Sequence, residues 1–274
     1  MATVKSSYHV DELDRLVDLD RYPIAALGEP RRDELIGQCR NQLTENGSCV
    51  LEGFVRADAV EAILCDIEPR LSGAYFCSNR HNPYLVTNDA ALPIDHPRNR
   101  EQVSDLGCLA DDQIGDDSPL RVLYRAEPLR DFIAALLEVR RLYPYADPLG
   151  SLNVNVFQPG QQLGWHFDNA DYAVTLMLRA AEAGGVYEYV PGARTPDDER
   201  YDAVANVLDG ERPPVRQLAM GPGALVLFRG RYALHRVTPV EGRAPRLIAV
   251  LSYDTKPGVM LTEFNRRLFY GRVA

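Results

Sequence analysis

The stretch LGWHFDNADYAVTLML, residues 163–178, places a histidine and an aspartate two residues apart in a mostly apolar segment. In a β-strand, residues i and i+2 point to the same face, so His166 and Asp168 can converge on one point. A buried carboxylate is costly unless it is paired or bound to metal. The pair therefore favours a divalent metal site, with a metal-free, hydrogen-bonded His–Asp pair as the alternative.

A second histidine would complete a familiar metal site. Two histidines and one carboxylate can hold one octahedral face of iron and leave the opposite face open. The chain has five histidines, at His9, His81, His96, His166 and His235. Among the candidates, only His235 lies in a predicted strand of the same β-rich half as His166. We therefore predict His166, Asp168 and His235 as the catalytic metal ligands.

Arg246 opens a later apolar strand, RLIAVLSYD. An arginine in such a strand needs an anionic partner, and its planar guanidinium matches a carboxylate with two hydrogen bonds. A structural salt bridge is the alternative. A histidine–carboxylate pair, a later strand histidine and this arginine form a more specific combination than any of them alone.

The elements that must position these residues differ between the two halves of the chain. Before residue 143, apolar residues at helical spacing predict helices at 31–46, 57–71 and about 127–141. Residues 73–118 show no regular pattern. After residue 150, consecutive strands bounded by glycine and proline predict an antiparallel sandwich or barrel. We expect a mostly β fold with flanking helices.

We predict a single domain over residues 1–274 and divide it according to composition and to helical or strand periodicity along the chain. The parts are an N-terminal arm at 1–30, a helical and loop support region at 31–142, a β core at 143–258 with an insertion at 191–217, and a C-terminal segment at 259–274. The insertion is charged, is expected to contain a short helix near residues 198–208, and is long enough to close over the site as a lid.

Residues 143–258 resemble the Fe(II)/2-oxoglutarate-dependent oxygenases, which carry an HxD motif, a distal histidine and then an arginine. The resemblance implies a double-stranded β-helix, or cupin-like jelly roll. It implies Fe(II) on His166, Asp168 and His235, 2-oxoglutarate anchored by Arg246, and O2 as co-reactant. The family often has a hydroxyl two residues after the arginine, where this chain has Ile248. A second anchor must come from elsewhere, and the candidates are Asn155, Thr175 and Tyr253.

The motifs DHPRNR, YADPLG, GWHFDN and GGVYEYVPGAR are similar to the group that hydroxylates or chlorinates free amino acids. The halogenases of that group have glycine in place of the metal-binding aspartate, so Asp168 implies a hydroxylase that releases succinate and CO2. Arg98 is a candidate for the substrate carboxylate, with Arg80 and Arg100 as alternatives. Asp147 could hold a substrate amine or cap a turn beside Pro148. Asn169 stands where lysine-acting members have an acidic residue.

The composition limits the possible partners, the location and the cysteine chemistry of the protein. A net charge of −9 and a pI near 5.1 argue against a nucleic-acid partner. No run approaches the roughly 18 apolar residues of a membrane helix, and the polar N-terminus does not look like a signal peptide, so we expect a cytoplasmic protein. Five cysteines without a CxxC pair indicate reduced thiols. A cupin-like metal-binding isomerase and a non-catalytic binding protein are the alternatives to the oxygenase.

Overall fold

The computed structural model describes residues 12–210 and 215–273. Residues 12–16 are helical. The α-helices after them, in chain order, are α1 Pro30–Asn46, α2 Ala57–Ile67, α3 Pro119–Arg125, α4 Glu127–Leu136, α5 Tyr201–Leu208 and α6 Glu263–Tyr270. Within the described part of the chain, no helix is both long and apolar enough to cross a membrane. Short 3-10 turns occupy Glu68–Gly73 and Asp111–Gln113.

The described residues form fifteen strands, of which eleven belong to two principal sheets and four to two small two-stranded sheets. They are β1 Ser48–Leu51, β2 Tyr75–His81, β3 Gln102–Leu109, β4 Tyr143–Pro144, β5 Leu152–Phe157, β6 Leu163–His166, β7 Ala173–Arg179, β8 Ala183–Gly184, β9 Tyr187–Val190, β10 Arg216–Leu218, β11 Leu225–Phe228, β12 Leu234–Val237, β13 Val240–Glu241, β14 Arg246–Leu251 and β15 Tyr253–Asp254. The major sheet has the order β1-β11-β7-β14-β5-β3-β2, and the minor sheet has the order β10-β9-β12-β6. The two small sheets are β13-β8 and β15-β4. Every pairing is antiparallel, so the predicted jelly roll with flanking helices is confirmed.

The strands of the major sheet have two different faces. In β14, Leu247, Ala249 and Leu251 belong to the large apolar core shared with the helices. The alternate residues Arg246 and Ile248 point to the other face, toward the interior between the sheets. Both faces of β14 are therefore buried, which explains why every residue of the strand after Arg246 is apolar.

The helical predictions differ from the structure mainly at the boundaries. The first predicted helix agrees closely with α1, and Gly47 ends that helix in a left-handed conformation. The third ends at Leu136 rather than near residue 141, because Glu138 adopts a positive φ of 57°. The arm is part of the core over its described residues, since Leu13, Val17 and Ile24 are fully buried. Its first 11 residues, including His9, lie outside the described residues.

The region predicted to be irregular, residues 73–118, contains two strands of the major sheet. β2 and β3 pair over seven residues, from Tyr75 opposite Cys108 to His81 opposite Gln102. β2 is the edge strand of the sheet, and most of its residues are exposed or half-buried. An edge strand of this kind lacks the apolar alternation by which strands are predicted from sequence.

The charged insertion packs on the outside of the minor sheet. Val204 and Val207 of α5 join Trp165, Phe167 and Leu234 in a second apolar cluster. Trp165 and Phe167 alternate with His166 and Asp168, so this cluster lies on the face opposite the predicted ligands. In this structure α5 packs on the outer face of the minor sheet, and the lid role of the insertion stays a prediction.

Asp147 has a structural environment and is not available as the predicted substrate ligand. Its Oδ1 accepts hydrogen bonds from the amides of Leu149 and Gly150 at 2.9 and 2.8 Å. Its Oδ2 accepts the Leu261 amide and the Arg266 guanidinium, each at 2.8 Å. Burial alone would raise the pKa of Asp147, but these four donors outweigh it and lower the pKa. Asp147 therefore caps its turn and ties the C-terminal segment to the core.

Replacing Asp147 by alanine is expected to destabilise the protein by about 3–5 kcal/mol, because the buried Arg266 loses its carboxylate. The free energy of unfolding in urea measures the effect. Asp112→Ala is the matched control, since Asp112 pairs with Arg272 at the surface and such pairs contribute about 0–1 kcal/mol. Equal losses in the two variants would contradict the structural role of Asp147.

Candidate metal centre

The three predicted ligands lie together at one end of the minor sheet. β6 and β12 are neighbours, and His166 is directly opposite His235 in their register. Asp168 follows β6 by two residues, and its Oδ1 lies 3.5 Å from the Nε2 atom of each histidine. The ligand atoms of all three residues lie within 4.8 Å of one another. One cation can therefore contact all three side chains.

Backbone carbonyls orient both imidazoles in the same way. The Nδ1 atom of His166 lies 2.8 Å from the carbonyl oxygen of Gly164, and that of His235 lies 2.9 Å from the carbonyl of Ala233. Since a carbonyl only accepts, each Nδ1 carries a proton, and each Nε2 is the ring atom turned toward Asp168. This is the arrangement that fixes the tautomer of a metal-binding histidine.

The electrostatics of the centre suit a divalent cation. Burial, and to a lesser extent the neighbouring His235, lower the pKa of His166, so its imidazole is neutral near pH 7. Burial would raise the pKa of Asp168, but the two imidazoles outweigh it and hold that pKa far below its ordinary value. The donor set is two imidazole nitrogens and one carboxylate, which fits Fe(II).

A metal-free His–Asp pair explains this geometry less well. Both imidazole–carboxylate distances are 3.5 Å, which is longer than the usual 2.7–3.2 Å of an N–H···O hydrogen bond. The side chain of Asp168 also retains 26% of its accessible surface. The three groups face a common point without bonding to each other, as ligands around an ion do.

Gly230 provides the space that Asp168 occupies. A Cβ atom on Gly230 would lie 1.7 Å from Oδ2 of Asp168 and 2.5 Å from its Cγ. The carbonyl of Gly230 also accepts a hydrogen bond from the Asp168 amide, at 3.1 Å. Any side chain at position 230 would therefore push the carboxylate away from the two histidines.

Arg246 lies in the interior, is 1% exposed, and has no anionic partner among the described residues. Its two terminal nitrogens are buried and make no hydrogen bond, and its Cζ atom lies 5.3 Å from the centre of the Phe157 ring. Burial lowers the pKa of Arg246 to about 10, with a small opposing effect of Tyr187, so it remains charged at neutral pH. An unpaired buried cation is strongly unfavourable. The structural salt bridge is thus excluded within the described residues, and the guanidinium fits a carboxylate ligand.

A cavity of about 490 Å³ leads to Arg246. Met177, Gly185 and Met220 contribute to its wall, and so does Tyr187, whose ring stacks 5.5 Å from the ring of His235. The cavity therefore extends from the unpaired guanidinium to a neighbour of the candidate metal ligands. Sequence analysis did not identify Tyr187, although its strand, YEYV, is rich in aromatic residues.

The three candidates for a second 2-oxoglutarate anchor lie in different environments. Asn155 lies opposite Ile248, two positions from Phe157 and on the same interior face as Arg246. Thr175 also points to the interior, opposite Val250. Tyr253 is committed elsewhere, because its hydroxyl donates to the Tyr124 carbonyl at 2.8 Å.

Comparisons with known proteins support an iron-binding function for this site. The profile of the family called Halogenase D (HalD) matches residues 32–263. The chain belongs to the Halogenase D family. This match and the jelly roll confirm the resemblance to the Fe(II)/2-oxoglutarate oxygenases, and the predicted cofactors Fe(II), 2-oxoglutarate and O2 fit this fold and donor set. No curated protein matches the chain.

Several solved structures share the fold of this Halogenase D member. An oxidoreductase of the 2OG-Fe(II) oxygenase family from Burkholderia pseudomallei is 15% identical, with a TM-score of 0.52, over 82% of this chain and 92% of that one. The epimerase SnoN from nogalamycin biosynthesis is 16% identical, with a TM-score of 0.55, over 81% of both chains. AviO1 from Streptomyces viridochromogenes Tue57 is 18% identical, with a TM-score of 0.55, over 81% and 96%. At these identities the likeness concerns the fold alone.

The remaining predicted residues lie near the loops that border the site. The amide of Phe167 donates to the carbonyl of Pro83, so the β2–β3 loop contacts the HxD motif. Arg98 belongs to that loop, and its Nε is buried without a hydrogen-bond partner among the described residues. Asn169 has an exposed side chain, and its carbonyl accepts a hydrogen bond from Arg231.

Replacing Gly230 by alanine is expected to weaken binding of a divalent metal by about tenfold or more, because the methyl group displaces the Asp168 carboxylate. Competition titration with Co(II) measures the affinity. Gly37→Ala is the control, since a Cβ there meets nothing within 4 Å.

The same substitution made in an Asp168→Gly background tests the steric cause. There the alanine is expected to have no further effect, because the group it would strike is gone. Wild-type affinity in Gly230→Ala, or equal losses in both backgrounds, would contradict the steric role of Gly230.

Proposed function

We propose that this protein is an Fe(II)/2-oxoglutarate-dependent oxygenase that hydroxylates an unactivated C–H bond of a free amino acid or a similar small molecule, with release of succinate and CO2. One observation carries the proposal. A two-histidine, one-carboxylate centre shares its interior with a buried arginine that lacks an anionic partner. A cupin-like isomerase or a binding protein would use the metal ligands but would have no need of the arginine.

Each group of residues in the site would have its own role in this reaction. His166, Asp168 and His235 would hold iron on one face and leave the other open to cosubstrate, O2 and substrate. Iron with 2-oxoglutarate and O2 supplies an oxidant strong enough to attack an unactivated C–H bond. Arg246 would bind the distal carboxylate of 2-oxoglutarate and fix its orientation in the dry interior. Tyr187 and Asn155 face the same interior and would complete that anchor.

Hydroxylation is the outcome that the environment of Asp168 supports. The carboxylate is ionised, lies equally far from both histidines and is accommodated by Gly230. While it occupies that position, a chloride cannot take its place beside the metal. The protein would thus be a hydroxylating member of a family named after halogenases.

Two features support a small zwitterionic substrate. Arg98 carries a partly buried guanidinium without a carboxylate partner among the described residues, in the loop that contacts the HxD motif. Such a group suits the carboxylate of a free amino acid. Asn169, directly after the metal carboxylate, exposes an amide that can accept a hydrogen bond from an ammonium or guanidinium group.

Arg246→Ala is expected to raise the 2-oxoglutarate concentration needed for half-saturation by about tenfold or more, since hydrogen bonds to charged groups contribute about 1.5–3 kcal/mol. Anaerobic titration of the Fe(II) protein with 2-oxoglutarate, followed by its visible charge-transfer absorption, measures binding directly. Arg243→Ala, at an exposed position three residues earlier, is the control. An unchanged requirement in Arg246→Ala would return Arg246 to a structural role and revive the cupin-like alternative.

The substrate class is tested by incubating the protein with each common amino acid, Fe(II), 2-oxoglutarate, ascorbate and chloride, and analysing the products by mass spectrometry. We expect one amino acid to gain one oxygen atom with a matching amount of succinate. A chlorinated product would overturn the role given to Asp168. Turnover only on a peptide, a carrier-bound substrate or a nucleic acid would contradict the free amino acid and leave the oxygenase intact.

A further inference from the structure

A chain of hydrogen bonds runs from the edge strand of the major sheet to His166. The Nε2 atom of His81, on β2, lies 2.6 Å from the hydroxyl of Ser104 on β3. The same hydroxyl accepts the amide of Gly164, on β6, at 3.1 Å. The carbonyl of Gly164 then accepts Nδ1–H of His166 at 2.8 Å. Three strands from both sheets are thus connected to one candidate metal ligand.

The direction of each hydrogen bond follows from its partners. The Nδ1 atom of His81 lies 3.0 Å from the carbonyl of Asn82, so it carries the proton and Nε2 is left as an acceptor. Ser104 must then donate its hydroxyl proton to His81, which leaves its oxygen free to accept the amide of Gly164. Every member of the chain has a suitable partner.

Gly164 is the weak point in this arrangement. It cannot be replaced by a larger residue, because a Cβ there would lie 2.8 Å from the carbonyl oxygen of Val103 and 2.9 Å from Cβ of Gln102. A glycine has the greatest backbone freedom of any residue, yet its carbonyl orients His166. The equivalent carbonyl for His235 belongs to Ala233, whose methyl group is buried in an apolar cluster. The Gly164 carbonyl, which orients His166, therefore needs an additional constraint that the Ala233 carbonyl does not need.

We propose that Ser104 and His81 are positioning residues for the metal centre. Ser104 fixes the peptide plane before Gly164, His81 fixes the hydroxyl of Ser104, and the Gly164 carbonyl holds the His166 ring with Nε2 toward the metal. The His81 ring also packs edge-on against the His166 ring, with 6.1 Å between centroids. This inference rests on the proposed metal centre and adds two residues that do not touch the metal.

The test measures Co(II) binding by the full-length protein and the visible ligand-field spectrum of the complex. Ser104→Ala is expected to lower the Co(II) affinity by about tenfold or more and to shift the spectrum, because the orientation of one ligand is no longer fixed. His81→Phe keeps a ring against His166 but removes both nitrogens, and it is expected to act in the same direction. Ser78→Ala, at an exposed position on β2, is expected to match the wild type.

A second pair of variants guards against a general packing defect at the buried Ser104. Ser104→Thr and Ser104→Val have the same shape and differ in one hydroxyl group. We expect Thr to retain, and Val to lose, the wild-type spectrum and affinity. Equal behaviour of Thr and Val, or a wild-type spectrum and affinity in Ser104→Ala, would overturn the positioning role.

The variant His166→Ala distinguishes failure of the positioning chain from failure of the metal centre. If His166→Ala loses Co(II) binding while Ser104→Ala keeps it, the metal centre stands and only the positioning chain is wrong. If the wild type binds Co(II) no better than His166→Ala, the proposed metal centre itself fails.

Discussion

The two histidines of the candidate centre each donate Nδ1–H to the backbone carbonyl two residues earlier in the chain. Because β6 and β12 are antiparallel neighbours, these repeated interactions turn both Nε2 atoms toward the same carboxylate. The rings have little freedom to rotate without breaking a buried hydrogen bond. The minor sheet therefore sets the relative positions of the candidate ligands, and much of the remaining structure supports that sheet.

The support comes from opposite sides. The insertion containing α5 covers the outer face of the minor sheet and packs against Trp165 and Phe167, the residues that alternate with the ligands. The major sheet packs its outer face against the helices and turns polar groups such as Asn155 and Arg246 to the interior. A strand like β14 thus stabilises the core with one set of residues and presents Arg246 with the other. Substitutions on its apolar face are expected to affect stability first and the site only through backbone shifts.

The placement of Asp168 depends on a residue far from it in sequence. Gly230 lies in the loop before β12 and gives the carboxylate its space and an acceptor for its amide. The position of the Asp168 carboxylate therefore depends on two loops, its own and the one that contains Gly230.

Local patterns determined much of this protein by themselves. Helical spacing predicted α1, strand alternation and turn residues predicted the β-rich half, and i, i+2 spacing placed His166 and Asp168 on one face. Elimination among five histidines selected His235, and an arginine in an apolar strand pointed to Arg246. The structure contains the predicted elements and brings the three candidate ligands together, while the roles of these residues stay predictions. The inferences depend on strand and helix periods, or on the high energy of a buried charge, which the sequence displays directly.

Tertiary structure decided which side chains meet across loops. YADPLG is compatible with either a substrate ligand or a turn cap, and only the approach of Arg266 and the Leu261 amide shows that Asp147 is already satisfied. β2 gains its strand structure from pairing with β3, because its own sequence lacks apolar alternation. Tyr187, Gly230 and Ser104 have no distinguishing sequence pattern, since their importance arises from distances of a few ångströms to residues that lie 48 to 62 positions away along the chain. Such proximities follow from how two sheets close on each other, which no local period encodes.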